Sequence, residues 1–399
     1  MSDQISKEEI TYFATTDFRN RAAPFGIKQS DRRAHMYILG KTGTGKSTLL
    51  ETLIRQDFIN GNGLALLDPH GDMVEKVLSE VPAERQSDLI YFDATDAEHP
   101  LGFNPLECVT AKFRPLAASG LLSVFQHIWA DSWGPRLEHV LRNALLALLE
   151  QPNATLADIP RLLSDNAFRK QAVSNVTNEQ VRNFWLKEYA GYPARFRAEV
   201  IAPLQNKVGA FLANPLIHRI VTQERSAFRL RRILDQGKIL LVNLAKGKIG
   251  ADTSTLLGAL LVSRLGLAAL SRANQPEEER RDFYLYLDEF HNFTTLTLAG
   301  MLSELRKYRL NLILAHQYLA QLDERLLAAI LGNAGTVISF RIGPSDTKVI
   351  AQEFAPEFSE TDLLNLPNYH IYLKLMIDGR VSSPFSAETL PPPRIDHSR

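Results

Sequence analysis

A single cysteine, Cys108, stands in 399 residues. That excludes an internal disulfide and any zinc site built from several cysteines, and it fits a reducing compartment. Net charge is missing too. The 45 Lys and Arg balance 45 Asp and Glu, so bulk charge names no partner. No run of about twenty apolar residues is present, of the kind that spans a bilayer. The nearest, Leu256 to Leu270, is interrupted by Ser263 and Arg264 and reads as a buried helix. The N-terminus lacks a basic-then-apolar leader pattern, and the chain has neither a low-complexity tract nor an internal repeat. These absences lead to the expectation of a cytoplasmic protein with no direct membrane insertion. The 45% hydrophobic content is enough for one sizeable core or two smaller ones.

Against that quiet background one segment stands out. Gly40-Lys-Thr-Gly-Thr-Gly-Lys-Ser47 fits the phosphate-binding pattern G-x-x-x-x-G-K-[ST]. An apolar strand from His35 to Leu39 leads into it, and a helix from Ser47 to about Phe58 leads out. Glycines let the backbone wrap a triphosphate with its N–H groups inward, and the helix N-terminus adds partial positive charge. The cofactor-binding set is therefore Gly40, Lys41, Thr42, Gly43, Thr44, Gly45, Lys46, Ser47 and Thr48. Lys46 is expected to reach the β- and γ-phosphates of ATP, and Ser47 to hold Mg²⁺. A purely structural glycine turn is the bland alternative.

Short strands rich in β-branched and aromatic residues recur along the chain. They are expected at Met36–Leu39, Leu64–Leu67, Leu89–Phe92, Ile239–Asn243, Phe283–Leu287, Leu312–Ala315, Val337–Phe340 and Ile371–Ile377. Several end in polar residues: Asp68, Asp93, Asn243, Asp288, His316-Gln317 and Arg341. In a doubly wound α/β sheet ligands bind beyond the carboxyl ends of the strands, so these ends are candidates to converge. The stretch from Cys108 to Arg232 differs. It holds helical patterns such as Arg136 to Leu149, broken by Pro152, Pro160, Pro193 and Pro203. The expected organisation is a polar extension over 1–34, a first core part over 35–107, an all-α insertion over 108–232, a second core part over 233–390, and a loose tail over 391–399. Residues 111–232 carry 17 Lys and Arg against 9 Asp and Glu. A basic module on a neutral chain points to a polyanion, although arginines also simply solvate helix faces.

A P-loop needs a second, carboxylate-bearing strand. Phe283–Leu287 running into Asp288-Glu289 supplies it. Asp288 is expected to bind the Mg²⁺ shell, and Glu289 to polarise the attacking water. The next strand ends at Gln317, placed to sense the γ-phosphate or the lytic water, with a capping role as the plainer reading. Phosphoryl transfer gains most from a positive group on the developing charge. Arg306 and Arg341 are the candidates for an arginine supplied across a subunit interface, with Lys307 and Arg309 behind them.

Taken together, these motifs resemble the HerA/FtsK branch of P-loop motors, and within it the cytoplasmic ATPase of type IV secretion coupling proteins (TraD/TraG-like). The likeness is carried by Gly40–Ser47, Leu67-Asp-Pro-His-Gly-Asp72, Gly102-Phe-Asn-Pro-Leu106, Asp131-Ser-Trp-Gly-Pro-Arg136 and Leu241-Val-Asn-Leu-Ala-Lys-Gly247. Asp288-Glu289, Leu305-Arg-Lys307, Ala315-His-Gln317 and Ser339-Phe-Arg341 follow in matching order. The resemblance implies a RecA-like P-loop NTPase core with a mainly parallel sheet and an inserted all-α domain. It also implies assembly into a ring, expected to be a hexamer, that moves DNA through its channel with ATP and Mg²⁺. Lys46 and Ser47 would hold phosphate and metal, Asp288 and Glu289 would form Walker B, Gln317 the sensor, and Arg306 the trans arginine, with Arg341 second. Asp68 and His70 lie in a family motif and are expected to line the site. Single- and double-stranded DNA are not distinguished. A relaxase or a membrane secretion partner is implied, but the polar N-terminus departs from the transmembrane helices of membrane-bound coupling proteins. A protein-transfer ATPase and a nucleotide-gated scaffold are the alternative functions.

Overall fold

The computed structural model describes residues 9–17 and 22–395. Parts of the expected extension and tail, residues 1–8, 18–21 and 396–399, lie outside them. The chain divides into two compact units. One runs up to Tyr91 and takes up again at Arg231–Asn243 and from Arg272 onward; the other is Phe92–Leu230 with Leu244–Ser271.

The first unit is built on one large sheet. Its strands are β1 (Ile10–Thr16), β2 (Pro24–Lys28), β3 (Met36–Leu39), β4 (Gly63–Asp68), β5 (Leu89–Asp93), β6 (Ile239–Asn243), β7 (Phe283–Leu287), β8 (Leu310–His316), β9 (Thr336–Ser339), β10 (His370–Lys374) and β13 (Phe385–Thr389), while β11 (Met376–Ile377) and β12 (Arg380–Val381) form a separate hairpin. The spatial order is β2-β1-β13-β10-β9-β3-β8-β7-β4-β6-β5. From β9 to β6 every neighbouring pair is parallel. These central strands are buried along their whole length, which is why the sequence shows apolar runs there rather than alternation. β10, β13, β1 and β2 extend the sheet antiparallel.

Three expectations change at this antiparallel flank and at the described start of the tail. Residues 1–34 are not merely an extension, because β1 and β2 pair there and β1 joins β13 in the register Ala14–Thr389. β2 forms the sheet edge and opens on Pro24, where a missing N–H costs no ladder bond. A Cβ on its Gly26 would lie 2.2 Å from the Thr11 carbonyl oxygen, so only glycine fits beside β1. Arg32 is buried in the core, with Nη1 donating to Asp57 Oδ1 at 2.6 Å, Nη2 to Asp57 Oδ2 at 2.9 Å and to the Tyr286 hydroxyl at 2.8 Å. Nor is the described start of the tail loose. It lies on the P-loop helix, Lys46–Ile59, where Thr52 Oγ1 donates to Leu390 O at 3.1 Å and Arg55 Nη1 to Pro393 O at 2.8 Å. The expected strand Ile371–Ile377 breaks in two at Leu375, whose N–H donates to Ser382 Oγ at 3.0 Å and whose carbonyl accepts from the Ser382 N–H at 2.9 Å, and Asp378 (φ 51°) and Gly379 (φ 75°) then turn the β11–β12 hairpin.

The second unit is helical. Its longest helix, Ala251–Leu270, packs on Arg114–Ile128. The two approach closely at Gly120, where a Cβ would stand 2.6 Å from Ser263 Oγ. The expected boundary at 232 therefore understates this unit, which also recovers Leu244–Ser271 after β6. Among the described residues, Ala251–Asn274 is the one helical stretch long and apolar enough to cross a membrane, and 67% of its most apolar window is buried. That agrees with its reading as a buried helix.

Candidate nucleotide site

The P-loop leaves the sheet at the carboxyl end of β3, with β8 on one side and β9 on the other. The Gly40 N–H donates to His316 O at 3.3 Å, and the Lys41 N–H to Arg341 O at 2.9 Å. Gly43 (φ 77°) and Gly45 (φ 124°) make the turns that side chains resist. Lys46 is buried, and its ammonium donates to the carbonyl oxygens of Gly40 and Lys41, the second at 3.1 Å. Burial pulls its pKa down, against the pull of Glu289 and Asp288. Thr44 Oγ1 donates to Lys41 O at 2.7 Å. Ser47 is exposed and Thr48 half-buried in the first helical turn.

Sheet order brings the remaining groups together. β8 lies between β3 and β7, with Leu39 opposite His316 and Leu287 opposite Leu314. Gln317 therefore emerges between the P-loop and the Asp288-Glu289 pair. Thr42 Oγ1 donates to Gln317 Oε1 at 2.9 Å, and Gln317 Nε2 donates to the Glu289 carboxylate. The loop, the amide and the buried carboxylate thus form one hydrogen-bonded chain. Glu289 holds a left-handed backbone, φ 48°. A non-glycine residue there is a local strain of the kind that functional sites retain.

Asp288 accepts from the Glu289 N–H at 3.1 Å. Burial, then the charges of Glu289 and Asp68, push its pKa up to about 7, with Lys46 opposing. Crowded carboxylates facing a buried ammonium are the setting that a phosphate-bound divalent cation relieves. Among the described residues no group of three or more His, Cys, Asp and Glu could hold a metal alone. Mg²⁺ binds through one or two carboxylates plus phosphate and water. Ser47 and Asp288 fit such a shell, and the carbonyls that hold Lys46 are contacts its ammonium can exchange for phosphate.

Other expected residues fall differently. Asp68 is near enough to raise Asp288, but its carboxylate accepts from the N–H groups of His70 (2.8 Å), Met73 (2.9 Å) and Val74 (3.2 Å), capping the helix Asp72–Leu78. His70 is exposed. Arg341 lies on the P-loop flank, with its guanidinium donating to Leu366 O at 2.9 Å and Asn368 Oδ1 at 2.8 Å. Arg306 does not join the cluster. It is exposed in the turn Arg306–Tyr308 that precedes β8, at the amino ends of the parallel strands. There it lines a cavity of about 410 Å³ with Arg33, Lys307, Arg309, Asp31 and Glu277.

Sequence reading named His316 only as a polar strand end beside Gln317, and it missed Tyr37 and Tyr369. His316 Nε2 and the Tyr37 hydroxyl are 2.5 Å apart in the core. Burial, with His291 and Lys46 adding to it, pushes the His316 pKa down to about 3. Tyr369 carries no motif and only the structure marks it, as a bulky residue held at φ 68°. The basic surplus of the helical unit is also largely committed. Arg114 pairs with Glu150, Arg142 with Glu138 and Arg229 with Glu107, while Arg169 and Arg197 bond backbone carbonyls. Lys170, Arg182 and Lys187 remain exposed.

A P-loop on β3, an acidic pair on β7 and a polar strand end between them, with a helical unit set into the chain, define a RecA-like P-loop NTPase. A family model described as the type IV secretion-system coupling protein DNA-binding domain matches residues 21–367. The chain belongs to that family. No curated protein matches it. Among solved structures it is similar to the bacterial conjugative coupling protein TrwBdeltaN70, with 16% identity, 94% of this chain and 88% of that one covered, and a TM-score of 0.66. It is similar to the plasmid coupling protein TrwB in complex with ADP and Mg²⁺, with 16% identity, 98% and 97% covered, and a TM-score of 0.65. VirB4 of Thermoanaerobacter pseudethanolicus is similar at 14% identity, with 97% and 98% covered and a TM-score of 0.67. At these identities the structural likeness speaks for the fold.

Proposed function

We propose that this chain is an ATP-driven DNA motor that works as a ring, expected to be a hexamer, and hydrolyses ATP at subunit interfaces to move DNA through a central channel. The observation that carries the reading is the hydrogen-bonded chain from Thr42 through Gln317 to Glu289, beside Lys46 and Asp288. ATP and Mg²⁺ are the ligands that suit it, as in TrwB with ADP and Mg²⁺. Mg²⁺ held by Ser47 and Asp288 would neutralise the developing phosphate charge. Lys46 binds the terminal phosphates once its ammonium leaves the loop carbonyls. Glu289 accepts the proton of the attacking water. Gln317 holds Glu289 while Thr42 holds Gln317, so a γ-phosphate drawing on Thr42 would report to the base. Because Arg306 is remote from its own P-loop, the proposed catalytic role is at the P-loop of a neighbour.

DNA as the track rests on the family match and on the exposed cations of the helical unit. The deciding experiment is ATP hydrolysis with single-stranded DNA, duplex DNA or none, at low and moderate salt, with Glu289→Gln as the blank. Stimulation by one form supports the motor and identifies its track. Robust turnover indifferent to every DNA form at low salt sinks it and favours a protein-transfer ATPase.

A further inference from the structure

We propose that Tyr369 is the platform on which the nucleobase of the bound nucleoside triphosphate stacks, an inference that rests on the nucleotide reading above. Tyr369 holds a left-handed backbone, φ 68°, and the residue is 48% exposed. A bulky residue pays no such strain for solvation, and glycine would fill the turn at less cost.

The backbone that carries the ring is fixed to the P-loop. The Tyr369 N–H donates to Thr44 O at 2.8 Å, and its carbonyl accepts from the Thr389 N–H at 2.8 Å and the Thr389 hydroxyl at 3.1 Å. The preceding residues are held through Arg341, whose guanidinium bonds Leu366 O and Asn368 Oδ1 while its own carbonyl accepts from Lys41 N–H. The ring itself meets the loop: a Cβ on Gly45 would lie 3.0 Å from Tyr369 Cδ1.

Sheet order gives the direction. Glu289 and Gln317 lie on the β8–β7 side of the P-loop strand, and Tyr369 opens β10 on the β9 side. A triphosphate whose γ end faces the carboxylates leaves its base toward the opposite flank, where the ring stands. Tyr318 is also exposed, at 47%, but it follows Gln317 on the carboxylate side. A flat aromatic face accepts any nucleobase, so the platform adds affinity without choosing among bases.

The test compares Mg²⁺-ATP with Mg²⁺-tripolyphosphate, which shares the phosphates and lacks the base, by calorimetric binding to the full chain. Tyr369→Gly removes the ring and accepts the backbone angle; Tyr369→Phe keeps the ring. Tyr369→Gly is expected to weaken ATP about ten- to hundredfold and leave tripolyphosphate unchanged, and Tyr369→Phe to bind both as the wild type does. Unchanged ATP affinity in Tyr369→Gly overturns the platform. So does equal loss of both ligands, which would make the ring a prop of the loop. Wild-type protein that binds neither ligand removes the nucleotide reading and the platform with it. Wild-type protein that binds both, with ATP no tighter than tripolyphosphate, removes the platform alone.

Discussion

At the scale of single residues, the proposed chemistry rests on Lys46, Asp288, Glu289 and Gln317. Glu289→Gln should keep ATP bound and slow its hydrolysis by at least about a hundredfold, seen as retained filter binding with lost phosphate release. Normal turnover would remove Glu289 as the base. His35 gives a second prediction. It is buried at φ 62°, with Nδ1 accepting from the Leu312 N–H at 3.1 Å and Nε2 donating to Leu302 O at 2.9 Å. Both nitrogens are thus used by the neutral ring, and burial pushes the pKa down from 6.5 to about 4. Below pH 6.5 the unfolded side chain takes up a proton that the folded one refuses. Its contribution is therefore full above pH 6.5 and is lost as the pH falls toward 4. By linkage this comes to about 2 kcal/mol between pH 7 and pH 5. His35→Gln should flatten that part of the denaturation profile, and an unchanged slope would assign the loss elsewhere. The P-loop and the acidic pair were legible because each is a contiguous string at the end of an apolar run. Tyr369 was not, since its partners Thr44 and Thr389 are brought to it only by the sheet.

Secondary-structure elements decide what faces what. The central strands could be read from their apolar runs, whereas β1, β2 and β13 are half-exposed edge pairs whose signal is weak and whose partners lie far apart in sequence. Their packing should still be costly to lose. Phe13→Ala on β1, fully buried, should destabilise the chain by about 3–5 kcal/mol, and Arg32→Ala by a similar amount, because the buried Asp57 would lose its countercharge and keep only the Tyr286 hydroxyl and Asn62 Nδ2 as donors. Denaturant midpoints close to wild type would show that this flank folds apart from the core. The turn after Leu296–Leu305 sets Arg306 at the amino ends of the strands. Arg306→Ala should permit nucleotide binding and assembly while suppressing turnover about a thousandfold or more. Mixing it with Lys46→Ala should restore part of the activity if the arginine acts across an interface. Inactive rings after verified mixing would count against that role.

For the whole molecule, the question is how a neutral chain meets a polyanion. Most arginines of the helical unit are tied to carboxylates or carbonyls, so the proposed DNA contacts fall to exposed cations such as Arg182 and Lys187. Replacing each by alanine should weaken DNA binding alike for all sequences and lower the slope of log affinity against log salt by about one. A slope identical to wild type would place the DNA elsewhere. From its order of residues alone, the chain determined the phosphate loop, the acidic pair, the central strands and the helical insertion, because each is written in adjacent residues or a short period. Only the tertiary structure decided that Gln317 bridges the loop and Glu289, that Asp68 caps a helix, that Arg306 is remote from its own P-loop and that Tyr369 flanks the loop. Those facts depend on strand order and register, which are set by packing between residues hundreds of positions apart.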